Sequence, residues 1–323
     1  MKIAVVGCGA VGSYYGALLC RAGQDVHFLL RSDYDAVRQK GVTIHSVKGD
    51  FHVQPRCART PEEIGDCDTV LIALKTTAND QFPRLLPPLV GPQTAIVTLQ
   101  NGLGNTERLA RLFPPQPVLN GLCFVCLNRL EPGVIRHSDY GLIVLGEFQR
   151  PAGPRAQKLA ALLQNAGVPC KATDRLAQAQ WEKLIWNIPF NGLGVAGVAG
   201  VDALTNPAGP RSPVARLSPV LTTDQLLADP RWVKLLRELM LEVIHAARAL
   251  GHDLPDGLAD DRIARTRTMG AYKASTLLDF ERRQPLELES LFLEPLRRAQ
   301  KAGVPVPRLA RLCEVLQQLD PTS

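Results

Sequence analysis

Residues 2–12 read KIAVVGCGAVG, and the fold turns on how they are read. KIAVVG (2–7) is a continuous apolar run rich in β-branched residues, the pattern of a buried strand. Gly7, Gly9 and Gly12 follow as GxGxxG, and residues 12–22 have helical spacing. The motif alone is weak; a strand before it and a helix after it make it a dinucleotide-binding turn. Gly7 permits the tight turn, Gly9 lets a pyrophosphate approach the backbone, and Gly12 allows helix and strand to pack closely. The helix N-terminus then faces the phosphate charge.

Further along, DVHFLLR (25–31), TVLIALK (69–75) and TAIVTLQN (94–101) are additional apolar strands. Strands alternating with helical patterns predict a parallel sheet with helices on both faces, an α/β, Rossmann-type doubly wound domain. PVLNGLCFV and the pair GVIRH/GLIVLGE extend the sheet, the pair as a hairpin around SDYG. From about residue 174 the pattern changes. LAQAQWEKLIWNIPFN, RWVKLLRELMLEVIHAARALG and SLFLEPLRRAQKAG all have helical spacing. The expected division is therefore residues 1–173 and an all-helical 174–323. TNPAGPRSPVARLSP (205–219) holds four prolines and reads as a surface loop between helices.

Composition narrows the function classes. The 323 residues carry a formal net charge of +6 with scattered arginines, so no nucleic-acid patch is indicated. A mild positive field suits small anions. The longest apolar run, 184–201, is broken by Asn187, Pro189, Asn191 and glycines, and does not read as a membrane span. With no leader pattern before the first strand, a cytoplasmic protein is expected. The eight cysteines follow no framework spacing, and Cys123–Cys126 is a lone CxxC, so reduced thiols and no metal are expected.

The candidate site residues fall in four places. Past the second strand come Arg31, Ser32 and Asp33. An acid there bonds the ribose hydroxyls of NAD, whereas a guanidinium pairs with the 2′-phosphate of NADP. Arg31 therefore points to NADP, and Asp33 keeps NAD open. Lys75 in LKTTAND and Asn101 in LQNGLGN sit where ligands bind such sheets, although a solvated lysine and an Asn-Gly turn are the plainer readings of each. In WEKLIWNIPFN (181–191), Lys183, Asn187 and Asn191 are four residues apart and line one helix face, drifting by about 40° per step. Alone this is equally a helix with a snorkelling lysine. Beside a nicotinamide site it offers a proton donor for a carbonyl oxygen and two neutral amides to hold a substrate. Last, ASTLLDFERRQPLELE supplies Ser275, Asp279, Glu287 and Glu289. A carboxylate near Lys183 would keep it protonated.

These segments together, GCGAVG, FLLR, LK (74–75), QNGLG (100–104), WEKLIWNIPFN and Ser275-to-Glu287, resemble the ketopantoate reductase family over nearly the whole chain. The resemblance implies a Rossmann domain followed by a helical, 6-phosphogluconate dehydrogenase C-terminal-like domain. It implies NADPH-dependent reduction of 2-dehydropantoate, a branched 2-oxo acid, to pantoate in pantothenate biosynthesis. Carried over residue by residue, Gly7, Gly9 and Gly12 hold the pyrophosphate and Arg31 meets the 2′-phosphate. Lys75 and Asn101 lie near the cofactor and the reacting centre. Lys183 is the general acid, and Asn187, Asn191 and Ser275 hold the substrate. Glu287 binds the hydroxyl or supports the lysine. One departure stands out: the family commonly has another substrate-binding Asn about ten residues past Asn191, where this chain has Val201 within GVAGVAGV. That bears on substrate identity more than on reaction type.

Two competing readings remain at this level. A 3-hydroxyacid dehydrogenase also uses a Lys-x-x-x-Asn helix, and a cofactor-sensing protein would bind NADP without turnover. QNGLG and the Ser275/Glu287 segment argue against the first, and the intact lysine–amide stripe argues against the second. The apolar helices of the second domain suit a homodimer.

Overall fold

A computed structural model describes residues 1–114, 116–205 and 218–321. The proline-rich stretch read as a loop lies, for residues 206–217, outside the described residues. The chain forms two compact units, Met1–Leu176 and Ala177–Ser323.

The first unit is built on a ten-stranded sheet. Its strands are β1 (Lys2–Val6), β2 (Asp25–Leu29), β3 (Val42–Ser46), β4 (Phe51–Val53), β5 (Arg56–Ala58), β6 (Cys67–Ile72), β7 (Val90–Thr98), β8 (Val118–Glu131), β9 (Val134–Glu147) and β10 (Cys170–Ala172). The order is β4-β3-β9-β8-β7-β6-β1-β2-β5, with β10 paired to β9. From β5 through β8 the pairs are all parallel. The helices are α1 (Ala10–Arg21), α2 (Tyr34–Lys40), α3 (Phe82–Leu85), α4 (Asn105–Leu112) and α5 (Pro154–Asn165). Side chains alternate across the sheet, so β1 feeds two cores. Ile3 and Val5 join Tyr15, Leu19 and Phe28 on one face, while Ala4 and Val6 join Ile72, Phe82 and Leu89 on the other. The strand order reverses at β1, between β2 and β6, the place where such sheets bind ligands beyond their C-terminal ends.

The expected hairpin around SDYG is corrected. Residues 134–147 form one strand, and the reversal lies at Pro132-Gly133, with Gly133 at φ 77°. Within SDYG the pairing to β8 slips twice, and Tyr140 and Gly141 take φ 60° and 120°. Turn-type residues here make bulges that bend a continuous strand. Strands β3, β4, β5 and β10 are three to five residues long. They have too few positions to show a period.

The second unit is helical, and among the described residues it has no strand. It comprises α6 (Leu176–Ala196, which begins at the end of the first unit), α7 (Asp202–Thr205), α8 (Thr223–Ala228), α9 (Pro230–Ala249), α10 (Gly257–Thr266), α11 (Ser275–Glu281), α12 (Glu294–Lys301) and α13 (Pro307–Leu319). Helix α9 starts where Asp229 accepts the Arg231 amide and Pro230 fills the first position. It buries Leu235, Leu239, Met240 and Val243 against its neighbours. Helix α6 carries Pro189 without ending. Among the described residues no helix is long and apolar enough to cross a membrane.

Candidate active site

The glycine turn shows three different demands on three glycines. Gly7 has φ 99°, and a Cβ there would stand 2.3 Å from the Leu74 amide nitrogen. A Cβ on Gly12 would stand 2.2 Å from the Gly7 carbonyl oxygen. Both positions exclude any side chain. A Cβ on Gly9 would meet nothing within 4 Å. Gly9 is also the N-cap of α1, with no side chain capping the helix and no acid in its first turn. The space above Gly9 is thus open at the positive end of a helix, which suits a pyrophosphate.

Beyond β2, Arg31 is exposed and, among the described residues, makes no ion pair. The acids that follow it are engaged. Asp33 is buried and bonded by Arg129 of β8 through Nη2 at 2.6 and 2.7 Å and Nε at 3.1 Å. Asp35 pairs with Arg59 at 2.8 Å, whose guanidinium lies over the Tyr34 ring. Cys8 hydrogen-bonds the Leu29 carbonyl, joining the glycine turn to the end of β2. Burial pushes its thiol well up, helped by Cys57 and Asp33 nearby.

Lys75 and Asn101 lie in the loops after β6 and β7, past the strand ends. Lys75 is exposed and Asn101 half-buried. Sequence reasoning missed what holds these loops. The Gln100 side chain donates to the Leu74 carbonyl at 2.9 Å and to Asn79 at 2.7 Å. Asn79 donates to Asn105 at 2.8 Å, and Asn105 donates to the Asn101 carbonyl at 2.9 Å. A chain of three buried amides therefore ties the two loops together. The signal was available: LKTTAND and LQNGLGN are unusually rich in amides for strand ends.

In the second unit, α6 presents distinct faces. Glu182 pairs with Arg262 and Trp186 donates to Thr266 at 2.9 Å, so one face lies on α10. Trp181, Leu184, Ile185 and Ile188 are buried in the core. On the polar stripe Lys183 is half-buried, Asn187 is 8% exposed and Asn191 3%. The stripe is not uniform. Asn191 accepts from the Thr276 amide at 3.0 Å and from the Ser275 hydroxyl at 3.4 Å, and donates to the Asn187 carbonyl at 2.9 Å. It thereby caps α11 from outside and sets Ser275 beside α6. Among the described residues the Asn187 side-chain amide makes no hydrogen bond within the protein. Glu287 is buried just before a π-helical turn, Glu289–Leu293, a local widening often found at functional sites. Val201 is buried at 7% exposure.

Among the described residues no group of three His, Cys, Asp or Glu side chains is arranged for a metal, and all eight cysteines are free.

A glycine turn at the switch point of a parallel sheet is the arrangement of a dinucleotide-binding domain, and comparison with known proteins makes the chain a pyridine-nucleotide-dependent oxidoreductase acting on a CH–OH group. Residues 3–150 match the family described as Ketopantoate reductase PanE/ApbA, and residues 212–320 match its C-terminal counterpart. A 2-dehydropantoate 2-reductase of Nostoc is 38% identical over 99% of this chain and 95% of its own. The crystal structure of 2-dehydropantoate 2-reductase from Geobacter metallireducens superposes with a TM-score of 0.88 at 44% identity, covering 98% of this chain and 99% of that one. That from Methylococcus capsulatus gives 0.84 at 32% identity, covering 98% and 96%. The chain belongs to the ketopantoate reductase family.

Proposed function

We propose that this protein reduces 2-dehydropantoate to pantoate with NADPH, in pantothenate biosynthesis. The observation that carries the reading is on α6: a half-buried Lys183 stands one turn from a buried amide, Asn187, that is uncommitted within the described protein. The polar atoms of Asn187 keep access to solvent, so they are open to a ligand.

NADPH, when bound, would supply the hydride for the C2 carbonyl carbon. Gly7, Gly9, Gly12 and the α1 N-terminus hold its pyrophosphate, and Arg31 pairs with the 2′-phosphate. Lys75 and Asn101, fixed by the amide chain, lie near the nicotinamide end. Lys183 gives a proton from its ammonium to the carbonyl oxygen as charge develops there, and regains one from water. Asn187 and Ser275 orient the oxo acid, with Asn191 holding Ser275 in place. Glu287 bonds the new hydroxyl or keeps Lys183 charged.

Val201 favours a second reading on one point. A buried valine where the family commonly has an amide removes a hydrogen-bonding group from the substrate side. A less hydroxylated 2-oxo acid fits that change, since losing one bonding group shifts preference between analogues with and without a hydroxyl. The test follows NADPH absorbance with ketopantoate, pyruvate and 2-oxoisovalerate in parallel. Ketopantoate is expected to give the highest kcat/KM. A higher value for 2-oxoisovalerate would replace the first reading with the second, and oxidation of 3-hydroxy acids without reduction of any oxo acid would remove both.

A further inference from the structure

We propose that Arg129, on strand β8 and far along the chain from the glycine turn, sets the choice between NADPH and NADH by withdrawing Asp33 from the cofactor. This rests on the reading of Arg31 as the 2′-phosphate partner. In dinucleotide-binding sheets an acid past the second strand bonds the ribose diol and repels a 2′-phosphate. This chain retains an acid there, yet places it out of use.

An ionised carboxylate offers about four lone-pair sites. Asp33 receives three contacts from the Arg129 guanidinium, at 2.6, 2.7 and 3.1 Å, and a fourth from the Ser32 hydroxyl at 3.0 Å. Both oxygens are already engaged, which leaves a ribose diol in competition with a guanidinium. Its side chain is 12% exposed, and its charge is matched by a guanidinium with fixed bidentate geometry. Asp33 stands at the N-cap position of α2 but does not cap it, because Arg129 holds its side chain instead.

Arg129 is held in turn. It pairs with Ile135 in the β8–β9 ladder, two residues before the ladder ends at Glu131. The hairpin tip beyond presses on the other end of α2: the Gly133 carbonyl accepts from Thr43 at 2.8 Å, and a Cβ on Gly133 would stand 2.7 Å from the Gly41 carbonyl oxygen. One hairpin therefore grips α2 at both ends. Arg59, just past β5, makes a single exposed contact with Asp35 at 2.8 Å. The acid nearest Arg31 is thus taken up by an arginine from elsewhere, while among the described residues Arg31 makes no ion pair.

The test is a titration of NADPH and NADH by nicotinamide fluorescence, with thermal unfolding on each variant. Wild type is expected to bind NADPH at least about tenfold more tightly than NADH, and Arg31→Ala to lose that preference. Arg129→Ala, with Arg31 intact, should lower the NADPH-to-NADH preference about tenfold, because a freed carboxylate repels the phosphate and accepts from the diol. Asp33→Asn added to Arg129→Ala should restore the wild-type preference. If Arg129→Ala does not yield folded protein, Arg129→Gln removes the charge while keeping the length and should shift the preference in the same direction. A purely structural Arg129 would weaken both cofactors equally and leave the ratio unmoved, which would overturn the proposal while Arg31→Ala still showed the phosphate reading to be sound. A wild type without preference, or an unchanged ratio in Arg31→Ala, would instead take away the reading beneath it.

Discussion

Glycine recurs at close spacing twice, at 7, 9 and 12 in the first unit and at 192, 194 and 197 in the second. In the turn after β1, two glycines are crowded by backbone and the middle one faces open space. At the end of α6 and the start of the 3-10 turn that follows it, all three are crowded. A Cβ would come within 2.6 Å of Leu312 at Gly192, of Leu277 at Gly194 and of Leu221 at Gly197. The first set shapes a tight backbone turn with one position left open; the second lets a helix lie close to its neighbours. The space above the missing Cβ separates the two uses, and spacing alone does not. On α6 the proposed chemistry rests on side chains instead, at Lys183 and Asn187 earlier on the helix.

The sharpest way to break this contrast is Lys183→Ala. If α6 carries chemistry through side chains, kcat should fall by about 100-fold or more. NADPH affinity should stay within about twofold, because the glycine turn is untouched. Stopped-flow turnover and fluorescence titration measure the two. A near-normal kcat would reduce α6 to scaffold.

A paired glycine experiment comes next in size. Gly194→Ala forces a Cβ against the Leu277 side chain and to 2.9 Å from the Leu221 carbonyl oxygen. Overpacking of this kind costs about 2 kcal/mol, which lowers Tm by roughly 6 °C for a unit of this size. Cofactor affinity should not change. Gly9→Ala should do the reverse, leaving Tm within about 1 °C while weakening NADPH about tenfold, because the new methyl intrudes only where a pyrophosphate lies. Loss of stability at Gly9, or of cofactor affinity at Gly194, would erase the distinction.

Legibility in the sequence followed the same division. The glycine turn was readable because backbone demands act on neighbouring residues in a fixed order: strand, Gly7, Gly9, Gly12, helix. The all-helical character of the second unit was readable because its helices are long enough to show a period. The reversal at Pro132-Gly133 was misread because SDYG has the same turn-type chemistry, and choosing between a bulge and a turn needs the pairing to β8. The Asp33–Arg129 pair was invisible for another reason: its members are 96 residues apart, and no local pattern marks which arginine takes up which acid. Asn191 illustrates the remaining limit. Spacing placed it on the stripe with Lys183 and Asn187, but only the position of α11 shows where its amide goes.

That difference between two asparagines one turn apart gives the smallest and most discriminating effect. Asn191→Ala strands the buried Thr276 amide that donates to it at 3.0 Å. An unsatisfied buried donor costs about 1–3 kcal/mol, so Tm should drop by roughly 3–9 °C. KM for the oxo acid should rise about fivefold as Ser275 loses its support, with kcat reduced less. Asn187→Ala removes an amide that makes no hydrogen bond within the described protein, so Tm should hold within about 1 °C while KM rises about tenfold. Thermal unfolding and steady-state kinetics on the two variants separate the roles. If both raise KM and neither moves Tm, the stripe is a uniform binding surface and the internal bond of Asn191 carries no weight. If both lower Tm with KM unchanged, the stripe is structural below Lys183, and substrate orientation must rest on Ser275 and Glu287.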